Sequence, residues 1–371
     1  MVVDNPFVYS RPVAPRDLVD REAEAGRLLE LARAGHNSRL SAPRRYGKTS
    51  LLRWVQERAE AGGTPAVYVN FYGILSLEDA TARLERGYSA LRGPLAAWLT
   101  GALRTLRPTM TVPGTGVSVS PELDTEVARR LLALLDLPRR VFERGGERVI
   151  VAFDEFQQVM EQPSPLDGII RSVIEQHTVE ASYVFAGSHP GLMARLFGDR
   201  ERPFYGQARP LELGPLADED LAGFIGERFD DTSRSPGRAL GLLLDAVSGH
   251  PQRAMLLAHH LWERVERGEE ADETTFLAAL DAVNEEVRDA FDPAWRGLAD
   301  SERRALAAVA ASGGRPTRGQ ALDHLDLPRT TAQEALARLR DDGQLYLDEG
   351  GRWRFVDPLF GRWIAEGRSP E

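Results

Sequence analysis

Apolar positions along this chain recur in two rhythms. Short, continuous runs at Ala66–Phe71 (AVYVNF), Arg148–Phe153 (RVIVAF) and Ser182–Ala186 (SYVFA) predict strands covered on both faces, and Ala208–Leu213 predicts another. Ser38–Ser41 has one large apolar residue, Leu40, and reads as a strand from its place before a turn rather than from its pattern. Between these runs the spacing turns helical. Helices are expected over Glu22–Ala34, Thr49–Glu60, Asp79–Leu103 and Glu126–Glu143. Strands alternating with helices predict an α/β fold with a mostly parallel sheet flanked by helices, whose ligands sit beyond the carboxyl ends of the strands.

After Asp218 the strand pattern stops. Three helical stretches, DEDLAGFIGERF, ALGLLLDAV and QRAMLLAHHLWERV, lead to about Val287 and predict a helical lid. From Ser301 to Ala365 the order is a helix, a Gly-Gly turn, a short helix, a helix over Thr330–Asp341, and two short strands around Gly350-Gly351. That order predicts a winged helix-turn-helix. The expected division is a core over 1–215, a lid over 216–290 and the winged domain over 291–371. An insert near 105–122, centred on RPTMTVPGTGVSVSP, is expected to be a hairpin or flexible excursion.

A chain of 371 residues exceeds one ordinary core, consistent with several domains. With 42% hydrophobic and 27% charged residues it has the composition of a globular protein, and no segment approaches the roughly 20 uncharged apolar residues of a membrane span. No leader pattern stands at the N-terminus, so the cytoplasm is the expected compartment. The absence of cysteine excludes disulfides, thiolate catalysis and cysteine-ligated zinc. A net charge of -10 argues against a surface that coats nucleic acid along its length.

Charge composition also singles out one residue. Of the 46 basic residues, 45 are arginine and one is Lys48, which stands between Gly47 and Thr49. The segment Pro43-Arg44-Arg45-Tyr46-Gly47-Lys48-Thr49-Ser50 then reads as a phosphate loop opening a helix. Main-chain N–H groups and the helix dipole attract phosphate, the lysine reaches the terminal phosphates, and the Thr49 hydroxyl ligates Mg²⁺. The pattern departs from GxxxxGK[ST] at Ala42, where glycine is usual, so a positive φ there would be strained. The required partner is a strand ending in acid, and Val149–Phe153 runs into Asp154-Glu155. Asp154 is expected to hold Mg²⁺ with Thr49, and Glu155 to polarise the attacking water. Ser188, after the next strand, is placed to sense the γ-phosphate. Arg44, Arg45, Arg171 and Arg209 are candidates for the extra positive charge on a transferring phosphoryl group. The fold class expected is thus a P-loop NTPase core followed by a helical lid and a winged helix-turn-helix, acting as an ATPase with ATP and Mg²⁺.

In this order the motifs resemble the archaeal-type ATPases of archaea and bacteria, in the signal-transducing STAND branch related to AAA+ proteins. NPFVYSRPV and LVDREAE are similar to that family's entry and its Gly-Arg-Glu element, with Asp20 in place of glycine. PRRYGKTSLL, FDEFQQV, FAGSHPGLM, FYGQARPLELGPL, SGHPQRAMLLA and FVDPLFGRWI follow. The resemblance implies that Arg21 and Glu22 lie near adenine and that His250 and Pro251, in the Gly-x-Pro element after Gly249, approach the phosphates. His250 as a simple helix cap is the other reading. An ATP-driven switch acting on a protein partner or on its own assembly is the leading expectation. ATP-gated DNA binding through Arg329, Arg338 and Arg340 is less favoured, because residues 296–371 carry 12 basic and 12 acidic side chains. A scaffold that binds ATP and barely hydrolyses it is the third possibility.

Overall fold

The computed structural model describes residues 4–14, 17–92, 96–105, 121–160, 166–316 and 321–367, the side chains of 121–125 excepted. The expected insert lies outside these residues, save Thr105, Pro121 and Glu122.

The core alternates helix and strand as α1 (Glu22–Arg33), β1 (Ser38–Ser41), α2 (Lys48–Ala61), β2 (Ala66–Asn70), α3 (Leu77–Ser89), α4 (Ala96–Thr105), α5 (Pro121–Leu135), α6 (Leu137–Gly145) and β3 (Val149–Asp154). A 3-10 turn (Phe156–Met160), α7 (Leu166–Ile174), β4 (Ala181–Gly187), α8 (Pro190–Gly198) and β5 (Arg209–Glu212) complete it. The five strands are all parallel in the order β2-β3-β4-β1-β5. Every residue of β3 and β4 is buried, as their unbroken apolar runs require.

Burial on both sides follows the period of two. Val67, Val69, Val149, Val151, Phe153, Tyr183 and Phe185 face a cluster built with α3, α5, α6, α7 and α8. Ala66, Ile150, Ala152, Val184 and Ala186 face the opposite one, with Leu28, Leu51 and Leu52 of α1 and α2. Two helical predictions are corrected. Asp79–Leu103 falls in two helices, α3, which ends at Ser89, and α4, which begins at Ala96; the first is capped by the Ser76 hydroxyl, which accepts from Asp79 N at 3.2 Å. Glu126–Glu143 divides at Asp136, where Pro138 cannot continue the hydrogen-bond ladder of α5.

Beyond the core come α9 (Asp218–Asp230), α10 (Ala239–Val247), α11 (Pro251–Trp262) and α12 (Glu273–Gly297). The winged part is α13 (Asp300–Ala311), α14 (Ala321–His324), α15 (Arg329–Asp341), the antiparallel pair β6 (Leu345–Leu347) and β7 (Trp353–Phe355), and α16 (Pro358–Ala365). Helix α12 runs unbroken through position 290, so these two parts share a helix rather than a linker. Phe291 and Trp295 at its end pack on Phe360 and Trp363 of α16. One apolar cluster spans both parts and also takes in Phe7 from the N-terminal segment. They therefore form one packed body against the core. Among the described residues no helix is long and apolar enough to cross a membrane.

Candidate functional site

Strand order places the site. Because β4 lies between β1 and β3, the ends of all three strands open on one edge of the sheet, with Ser188 between the loop after β1 and the acid pair after β3.

The loop reaches its helix through two left-handed residues, Arg45 at φ 69° and Gly47 at φ 84°. Gly47 is the N-cap of α2, and this position needs the freedom that glycine has. Ala42 is not among the positive-φ residues, so alanine serves there without the backbone cost that the sequence raised. Its N–H donates to the Gly187 carbonyl at 3.3 Å, tying the loop to the end of β4. The α2 N–H groups face the loop hollow, a ready anion site.

Inside that hollow six side chains converge. Lys48 Nζ donates to Glu155 Oε1 at 2.7 Å and lies 3.5 Å from Asp154 Oδ1. Thr49 Oγ1 donates to Asp154 Oδ2 at 2.8 Å. Ser188 Oγ donates to Glu155 Oε2 at 2.6 Å, and Gln157 Nε2 donates to the same oxygen at 2.6 Å. Lys48 is 6% exposed and Asp154 0%, so these charges are compensated within a mostly dry site. Burial alone would raise the Glu155 carboxyl. Lys48, then Ser188 and Gln157, outweigh it, and the pKa is lowered, leaving a carboxylate that can accept a proton. Glu155 sits at φ 53°, a left-handed conformation that costs a non-glycine residue about 1 kcal/mol or more, and its own N–H donates to Asp154 Oδ1 at 3.0 Å.

The donor set fits Mg²⁺ delivered with phosphate. Thr49 and Asp154 offer hard oxygens 2.8 Å apart beside Lys48, and Mg²⁺ takes one or two protein oxygens and completes its shell from phosphates and water.

The remaining expected residues lie around this cluster. Pro43 and Tyr46 line a cavity of about 270 Å³ between the loop and the winged part, and Arg44 is exposed. Ser50 Oγ accepts from Val13 N at 3.1 Å, so the N-terminal segment is strapped across the start of α2. Arg21 is buried, its guanidinium on the Gly214 carbonyl at 2.5 Å and on Glu24 at 2.7 Å. Exposed Glu22 accepts from Arg21 N at 3.1 Å. Asp20 has φ 38°, which explains physically why glycine suits that position. Arg171 is engaged by the Pro203 carbonyl and Glu175, and Arg209 opens β5 beside Ser38, at the opposite end of the sheet from the loop.

His250 is buried and caps α11, its Nδ1 accepting from Arg253 N at 3.3 Å, with Pro251 as the first helical residue. Its ring stands edge-on to Tyr46 with centroids 4.9 Å apart. Burial, above all, lowers its pKa to about 4, so the imidazole is neutral. Tyr46 in turn donates to the Val356 carbonyl at 3.1 Å, at the end of β7. One side chain of the phosphate loop thus touches both the lid and the winged part. Arg253 pairs with Asp357, the residue after Val356, at 3.0 Å. A second close approach lies three residues past Ser188. A Cβ on Gly191 would stand 2.6 Å from the Asp341 carbonyl at the end of α15, so α8 and α15 meet there backbone to backbone.

Sequence reasoning missed Tyr68, Gln157 and the Arg253–Asp357 pair. Tyr68 had a signal, as the one polar-tipped side chain inside the run Ala66–Val69, and Gln157 lies two residues after Glu155. Nothing local in the sequence joins positions 253 and 357.

No protein-family model matches the chain, and no curated protein sequence does. Solved structures do. The Walker-type ATPase PABY2304 of Pyrococcus abyssi aligns at 18% identity over 96% of this chain and 99% of that one, with a TM-score of 0.68. The ORC2 protein of Aeropyrum pernix in its ADPNP-ADP complexes aligns at 17% identity over 98% and 96%, with a TM-score of 0.59. Its ADP form gives 18%, 96% and 95%, with a TM-score of 0.53. At these identities what is shared is the fold, and the fold is that of a P-loop NTPase followed by a helical C-terminal region.

Proposed function

We propose that this chain is a Mg²⁺-dependent ATPase that acts as a switch, its nucleotide state coupled to the body formed by the lid and winged part. The observation that carries the reading is the convergence of Lys48, Thr49, Asp154, Glu155 and Ser188 at a helix N-terminus. The names of the structural relatives, a Walker-type ATPase and a protein solved with ADPNP and ADP, support it. The motif order supports the archaeal-type, STAND-branch assignment.

In this reading the triphosphate takes Lys48 away from Glu155. Lys48 then neutralises phosphate charge, and the released Oε1 of Glu155 accepts the proton of a water attacking the γ-phosphorus. The new P–O bond forms as the bond to the β-phosphate oxygen breaks, and ADP leaves with that electron pair. Thr49 and Asp154 would hold Mg²⁺, which would supply Lewis-acid charge on the phosphates. Ser188 keeps Glu155 aimed. Because the base is tied to Lys48 until substrate arrives, hydrolysis depends on a filled loop. His250 and Pro251, and Arg21 and Glu22, would close over the phosphates and adenine respectively.

The output we favour is a protein partner or self-assembly in the cytoplasm. The loop after β2 supports a partner. It is held by Arg83 on the Asn70 and Tyr72 carbonyls and by Gln158 on Gly73 N, yet exposes Tyr72 at 59% and Leu75 at 84% beside the acid-bearing strand. DNA binding is the second reading, favoured by the exposed Arg329, Thr330 and Gln333 at the start of α15. The test is ATP hydrolysis with and without Mg²⁺: turnover that requires Mg²⁺ supports the ATPase reading, and nucleotide binding without turnover supports the scaffold.

A further inference from the structure

Asp154 is more heavily engaged than a cation ligand in a loop motif requires. Its Oδ2 accepts from Thr49 and also from the Tyr68 hydroxyl at 2.8 Å, while Oδ1 takes the Glu155 N–H. Tyr68 comes from β2, the edge strand, outside both the phosphate loop and the acid motif. Its backbone pairs with Ala152, two residues before the acid, and its side chain reaches forward to Asp154 on the α2 face of the sheet.

We infer that Tyr68 is a positioning residue that fixes the Asp154 carboxylate for the divalent cation, an inference that rests on the Mg²⁺-ATP reading of the site. A carboxylate at the end of a strand can rotate about its last torsion, and a cation shared with Thr49 needs one orientation. The backbone N–H of Glu155 pins one oxygen, and the phenol pins the other from a separate, rigid element. Removing such an outer partner of a metal ligand commonly costs about 10-fold to 100-fold in metal affinity. Because the Tyr68 hydroxyl donates to Asp154 while Lys48 donates to Glu155, its effect should appear in the Mg²⁺ dependence and not in the phosphate affinity itself.

The variant is Tyr68→Phe, which keeps the ring and deletes one hydroxyl. The probe is a fluorescent N-methylanthraniloyl ADP, titrated in EDTA and over a series of Mg²⁺ concentrations, with thermal melting as a fold control. Wild type should bind more tightly with Mg²⁺. Tyr68→Phe should match it in EDTA and require about 10-fold more Mg²⁺ for half of the enhancement. An unchanged Mg²⁺ midpoint overturns the role of Tyr68 while leaving the site reading intact. Equal weakening with and without Mg²⁺ also overturns it, in favour of simple packing. A wild type whose binding ignores Mg²⁺ overturns the site reading and the Tyr68 role together.

Discussion

Tyr46→Phe tests whether the phosphate loop holds the lid and winged body. The phenol is 3% exposed and donates 3.1 Å to the Val356 carbonyl, so the substitution deletes that bond and keeps the ring against His250. A net hydrogen bond is worth about 1 kcal/mol, and stranding a buried carbonyl raises the loss to about 1–3 kcal/mol. If the contact breaks when the body leaves the core, the ratio of undocked to docked molecules rises about 5-fold to 150-fold. The chain has no cysteine, so Glu57→Cys on α2 and Glu349→Cys in the turn between β6 and β7 give two clean labelling sites for spin labels. Both positions are exposed. Tyr46→Phe should add a broad, longer-distance population to the wild-type distribution. Linkage then requires that whichever nucleotide favours docking binds this variant more weakly. Distance distributions that overlay in every nucleotide state would refute the coupling.

Further outcomes follow from the same contacts. Gly191→Ala puts a Cβ against the Asp341 carbonyl and should shift the same labelled pair toward undocking by about 1–3 kcal/mol, the usual cost of overpacking. His250 is held at about 4 against an ordinary 6.5, so the unfolded chain binds the extra proton first as pH falls. Its stability contribution is intact above 6.5 and declines through the window down to about 4, by about 3 kcal/mol in all. His250→Asn keeps a capping side chain, so its urea midpoint should fall less between pH 6.5 and 4 than that of wild type. Duplex DNA should give no salt-dependent shift, because Arg338 is paired with Glu302 and residues 296–371 balance 12 basic with 12 acidic groups; a clear shift that weakens with salt would favour the DNA reading.

The chemistry-bearing cluster was largely legible because its parts are local. GKT, the DE pair after an apolar strand and the serine after the next strand each declare themselves within a few residues, and a parallel sheet has to bring such strand ends together. Strand β1 carried little pattern of its own. Ser38 and Leu40 are wholly buried, but small polar residues suffice where α1 packs close, as the Ser182 hydroxyl on the Ala32 carbonyl shows. The long-range joints were not legible. Tyr46 of the core meets Val356 across 310 residues, Arg253 of the lid meets Asp357 of the winged part across 104, and neither pairing leaves a periodic trace. The continuous α12 hid for a related reason: Phe291 and Trp295 look like ordinary helical apolar positions, and only α16 makes them the joint between lid and winged part.

The most direct measurement is nucleotide binding and Mg²⁺-dependent ATP turnover by wild type, Lys48→Ala and Glu155→Gln side by side. Wild type should turn over, and Glu155→Gln should bind ATP while losing turnover about 100-fold or more, as expected when a general base is removed. Lys48→Ala should lose binding, having also left the buried Asp154 and the half-buried Glu155 without their cation. A wild type that binds no nucleotide, or a Glu155→Gln variant that hydrolyses ATP at the wild-type rate, would contradict the site as described.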